Sequence, residues 1–117
     1  MSYDIAIVDP NGEVRQFDSP KHILGGTYAV GGSHVAEVNV TYNYSPFYMA
    51  LWKGGIKSFD GMPAHDVADA MRLAIMSLGT EEDDDYWTAT PGNAGSALQT
   101  IVSVIEDCPA DSFIRVT

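Results

Sequence analysis

Five consecutive carboxylates, Glu81-Glu82-Asp83-Asp84-Asp85, run directly into Tyr86 and Trp87, the densest ionic stretch of the sequence. Carboxylates can hold a hard cation, but calcium loops space their ligands and place a glycine at the sharp turn. A contiguous run lacks that geometry, so no metal site is expected. What the run does supply is attraction for a basic protein surface. Tyr86 and Trp87 beside it are side chains favoured as anchors at interfaces. The plainer account is a solvated loop whose aromatics lock it onto the core.

Glu37, Asn39, Thr41 and Asn43 form a second set, on alternate positions of one stretch. Such a row can recognise a peptide strand or a small polar ligand, or it can be the wet face of an antiparallel sheet. Asn43 stands at the strand end, where it can serve a site or cap the next helix. In "TATPGNAG" Thr88, Thr90 and Asn93 surround a helix start, whose positive dipole end can take an anion. Capping alone also explains them. The candidate binding residues are therefore Asn39, Thr41, Asn43, Tyr86, Trp87, Thr90 and Asn93. A pocket between the strand row and the helix start at residues 88–93 would suit a small polar or anionic ligand.

Catalytic spacing is missing. His22, His34 and His65 lie far apart, with no HxH or HxxxH pair for zinc. Cys108 follows Asp107, with no positive neighbour to lower its pKa. The glycine pairs in "LGGTYAVGGSH" lack the lysine and helix of a phosphate loop. No catalytic residue, cofactor or metal is predicted; an enzyme would have to assemble its site in space, from residues distant in sequence.

The elements that must position these residues are legible in outline. "YDIAIV" and "EVRQF" flank the turn "DPNG", and "TYAV" and "HVAEVNVTYNY" flank "GGS", so two hairpins are expected. In the long strand Ala36, Val38, Val40, Tyr42 and Tyr44 share one face, to be covered by helices, and the polar row shares the other. Ser45-Pro46 opens a short helix, with the serine as cap. A second helix runs from near Pro63 to Gly79, with Val67, Met71, Ala74, Ile75 and Leu78 as its apolar stripe. A third starts near Thr90-Pro91 and carries Ala94, Leu98, Ile101, Val102 and Ile105 at the same spacings. "FIRVT" sets Ile114 and Val116 on one face and is the candidate closing strand. The expected fold is α+β: an antiparallel sheet of four to five strands, with about three helices on one face.

At 117 residues, 45% of them hydrophobic, the chain suits one domain with a packed core and needs no disulfide. Its lone cysteine fits a reducing compartment. The first residues lack the pattern of a signal peptide, and no apolar run approaches the roughly 20 residues of a membrane span. A soluble cytoplasmic protein is expected. Residues 1–58 hold five acids against four bases, and residues 59–117 hold eleven against two, so a net charge of −10 divides into −1 and −9. The acidic half repels phosphates, which excludes nucleic acid as a partner, and attracts a basic protein.

"GGTYAVGG", "VNVTYNYSPF", "GGIKSFDGM" and "DDDYWTATPGNAGSAL" in this order resemble a family of small phage and prophage proteins. The matching positions are Asn39, Thr41, Tyr42, Asn43, Asp60, Gly61, Tyr86, Trp87, Thr90, Gly92 and Asn93, across roughly residues 25–107. The resemblance implies an origin and not a mechanism. Taken together, these features predict a non-enzymatic accessory protein that binds a host or phage protein through its acidic, aromatic-bearing half. A small-ligand binder is the alternative.

Overall fold

Branched residues on alternate positions build the sheet. The computed structural model describes residues 2–17, 27–29, 34–85 and 87–117. Strand β1 (Ser2–Val8) lies between β3 (Glu37–Thr41) and β4 (Phe113–Val116), antiparallel to both. The short strand β2 (Thr27–Ala29) pairs with the far side of β3, giving the order β2-β3-β1-β4. The register sets Ile5 opposite Val38 and Val116, and Ile7 opposite Ile114, so these side chains share one buried face. "FIRVT" is thus a sheet strand.

Three helices, α1 (Ser45–Leu51), α2 (Ala64–Leu78) and α3 (Pro91–Glu106), complete an α+β domain. Val67, Met71 and Ala74 of α2, with Ala94, Leu98, Ile101, Val102 and Ile105 of α3, join Ile5, Val38, Val40 and Ile114 in one core cluster. Each large aliphatic side chain buried there contributes about 1.5–3 kcal/mol, which is what holds two one-sided helices against the sheet. Ile75 and Leu78 pack at its margin, half-buried. The α3 start is capped by Thr90, whose hydroxyl oxygen accepts from the Asn93 amide at 3.2 Å, with Pro91 in the first turn. Among the described residues no helix is long and apolar enough to cross a membrane.

Four expectations need correction. The "DPNG" turn forms, with Asp9 accepting from the amides of Asn11 (2.8 Å) and Glu13 (3.0 Å). Its return arm, however, forms no strand among the described residues; there it makes the isolated bridges Val8–Val14 and Gln16–Val35. Arg15 donates its amide to the Ile7 carbonyl (2.8 Å) and accepts from the Ala36 amide (2.9 Å), so the arm wedges where β1 and β3 diverge. Secondly, β3 ends at Thr41 rather than Tyr44. The Thr41 hydroxyl accepts from the Asn43 amide (3.2 Å) and starts a 3₁₀ turn over Tyr42–Tyr44. Leaving the strand breaks the two-residue period: Tyr44 enters the core, while Tyr42 stays 38% exposed instead of lying under helices.

Thirdly, Ser45 does not cap α1, because the chain enters the helix from that turn; its hydroxyl instead pairs with that of Tyr3 at 3.0 Å. Fourthly, the polar side of β3 is not an open wet face. Asn39 and Thr41 do lie opposite Val38 and Val40, yet both are buried, as are Ala6 and Val8 of β1 on the same side. The glycine pairs, His22 and the loop of the second hairpin lie outside the described residues.

The outer edge of β4 is closed by residues 60–64. The Ile114 carbonyl accepts from the Gly61 amide (2.7 Å), and the Ile114 amide donates to the Met62 carbonyl (2.9 Å). Further along, the Asp60 carboxylate accepts from the Val116 amide at 2.8 Å. Gly61 makes this route available with a φ of 82°, a conformation that suits glycine.

Candidate functional site

The acidic run is a built loop, and Asn93 is its fixing point. Asn93 sits in the first turn of α3 and is 1% exposed. An asparagine side chain offers one acceptor and two donors, and here all three are used. Its Oδ1 accepts from the Asp83 amide (2.9 Å), while its Nδ2 donates to the carbonyls of Asp85 (3.1 Å) and Thr88 (2.9 Å). From the sheet side, Asn43 donates Nδ2 to the Trp87 carbonyl at 2.7 Å. Two of the carboxylates turn the loop on itself: Asp83 Oδ1 accepts from the Asp85 amide (3.1 Å), and Asp85 Oδ1 from the Trp87 amide (3.0 Å). Glu82 accepts from the Ser96 hydroxyl at 2.8 Å. Trp87 is left 48% exposed on a backbone held at several points.

Two glycines let the loop enter. A Cβ on Gly95 would fall on the Gly79 carbonyl, with the Gly79 carbon at 3.0 Å and the Leu78 Cβ at 3.3 Å. A Cβ on Gly92 would likewise fall on the Glu81 carbonyl, with its carbon at 2.7 Å. Backbone therefore lies directly on backbone where the α2–α3 connection crosses the α3 start. Beneath it stand Tyr44 and Tyr48, edge to face with ring centroids 6.5 Å apart. Tyr48 donates its hydroxyl to the Ala94 carbonyl at 2.9 Å. Burial, with smaller contributions from Glu82 and Asp85, pushes the Tyr44 hydroxyl up to about 12. Burial chiefly, then Tyr44 and Tyr3, pushes Tyr48 up as well. Both are neutral near pH 7 and pack beneath the loop.

The structure gathers some of the predicted residues and separates others. Asn43, Trp87, Thr90 and Asn93 meet around the acidic loop. Asn39 does not join them: its Nδ2 donates to Ser2 Oγ (2.6 Å) and to Asp4 Oδ1 (2.7 Å), Asp4 being its cross-strand partner. Thr41 meets the group through the Asn43 amide, from which its hydroxyl accepts. Tyr86 lies outside the described residues. An open depression of about 390 Å³ lies beside the loop, between the α2 end and the α3 start, lined by Leu78, Glu81, Glu82, Asp83, Thr90 and Gly92 among others.

Among the described residues, no cluster of three or more histidine, cysteine, aspartate or glutamate side chains is placed to hold a metal. His34 and His65 each face backbone carbonyls, of Phe17 for the first and of Cys108 and Pro109 for the second, at 3.3 Å. Gly92, Gly95 and Asp60 are the residues whose roles residue patterns did not assign. The signals available were small residues three apart opening a helix, and an aspartate before a glycine. Fold and site define an α+β domain carrying a pinned, acidic, tryptophan-bearing loop. No family model, curated protein or solved structure matches the chain.

Proposed function

We propose that this chain is a non-enzymatic accessory protein of phage or prophage origin that acts in the host cytoplasm. It binds the basic surface of a host or phage protein through the acidic loop, with Trp87 as anchor. The origin rests on the motif resemblance; the binding mode rests on one observation. Trp87 is half exposed on a loop that Asn93 and Asn43 hold from beneath. A large aromatic kept in water gains free energy when a partner covers it. A loop already ordered loses little conformational freedom on binding. Charges around it speed encounter with a basic partner and set its orientation.

The small-ligand reading has less support, because the amide groups of Asn39, Asn43 and Asn93 that would grip a ligand are engaged within the chain. Affinity capture from infected cells at physiological salt tests the proposal. Asp83→Asn/Asp84→Asn/Asp85→Asn removes three charges while keeping a side-chain oxygen for the amides of Asp85 and Trp87. The triple variant and Trp87→Ala should each lose a partner that the parent captures, with unchanged circular dichroism. Retention of every partner by both variants would refute the reading.

A further inference from the structure

Helix α2 carries an apolar pair that neither the core nor the loop uses. Leu73 is 71% and Met76 82% exposed. Three residues apart on a helix, they are surface neighbours. The inward stripe of Val67, Ala68, Met71 and Ala74 is already buried, so the outward positions would ordinarily be polar. The surroundings are acidic. Asp69 lies one turn before Leu73, and Asp66 one turn before that, both exposed. Arg72, between them and Met76, is taken up by Asp69 (2.9 Å) and by Glu106 of α3 (3.2 Å). Three carboxylates and one cation, Arg72 pairing with two of them, thus lie on or beside the helix that exposes these two apolar side chains.

That charge pattern decides what fits. A second copy of a chain with net charge −10 would bring the same carboxylates against each other. We propose that this face of α2 docks a cationic amphipathic segment of a partner protein. Two apolar side chains of the segment would seat on Leu73 and Met76, with lysine or arginine reaching Asp66, Asp69 and Glu106. This surface is separate from the Trp87 loop and does not depend on the loop's role.

The test titrates the isotope-labelled full chain with a synthetic helical peptide of leucine and lysine, its leucines at i, i+3 and i+4 spacing, at low salt. Amide resonances of residues 66–77 should move. Leu73→Ser/Met76→Ser, which alters only exposed side chains, should weaken binding about tenfold, or about 1.4 kcal/mol, while Trp87→Ala leaves it unchanged. Added salt should weaken it too. Equal affinity in the double variant, or shifts confined to the loop, would overturn the proposal. So would self-association of the parent, seen by sedimentation, that the double variant abolishes.

Discussion

Gly95→Ala sets two physical effects against each other. In a helix interior alanine is favoured over glycine by about 1 kcal/mol, and Gly95 sits inside α3 with no left-handed backbone to forbid the change. Propensity alone therefore predicts a more stable protein. The added methyl, however, would land on the Gly79 carbonyl, with the Gly79 carbon at 3.0 Å and the Leu78 Cβ at 3.3 Å. The obstacle is backbone, which cannot swing to another rotamer, so either α3 or the connection after α2 must move. Overpacking a fitted interface costs about 1–3 kcal/mol, occasionally more, and this site belongs at the top of that range. Allowing for the propensity gain, a net loss of about 2 kcal/mol is expected. Urea unfolding followed by circular dichroism reads the value, with the exposed Gln99→Ala as a near-neutral control in the same helix. An unchanged or raised midpoint for Gly95→Ala would show that the connection does not lie on α3, and the account of the pinned loop would fall with it.

Asn93→Ala should lower stability by about 2–3 kcal/mol, since each buried hydrogen bond left unmade costs about 1–3 kcal/mol and water reaches part of the loop. It should also abolish hydrogen-exchange protection at the Asp83 amide; retained protection there would refute the pinning role. Tyr44 predicts an alkaline effect. The unfolded chain releases this proton near 10.0 and the fold holds it to about 12, so its contribution is complete below pH 10 and is lost as pH rises from 10 to 12. Within that window the unfolded chain gives up the proton before the fold does, so stability falls with each step in pH. Tyr44→Phe should show a correspondingly shallower decline in stability over that window, and identical slopes would refute the assignment.

Periodicity was legible wherever one face of an element is buried. Val67, Met71 and Ala74, and Leu98, Ile101 and Ile105, mark α2 and α3 because only one side of each meets the core, and Thr90-Pro91 marks the α3 start by ordinary capping chemistry. The end of β3 was not legible. Tyr42 and Tyr44 continue the alternation in residue type, while the Thr41 hydroxyl diverts the backbone into a turn. The burial of Asn39 was hidden for a related reason: a polar residue reads as solvent-facing, whereas here Asp4 and Ser2 satisfy it from the neighbouring strand. Asn93 showed its chemistry but not its direction. Its position suits an exposed anion site equally well, and only the three-dimensional path of residues 83–88 turns it inward. Gly92 and Gly95 look like poor helix formers until the chain that crosses them is placed.

The cover that residues 60–64 place over β4 bears on how other chains can be recognised. A bare sheet edge recruits strands through its free amides and carbonyls, with little regard for sequence. At β4 an incoming strand would find both polar groups of Ile114 taken and would meet the Asp60 carboxylate where it sought the Val116 amide. Recruitment there would require peeling away a neighbour that the chain itself provides. This margin is thus protected against fibrillar stacking of identical copies, and a partner arriving at this end must be selected by its side chains instead of its backbone.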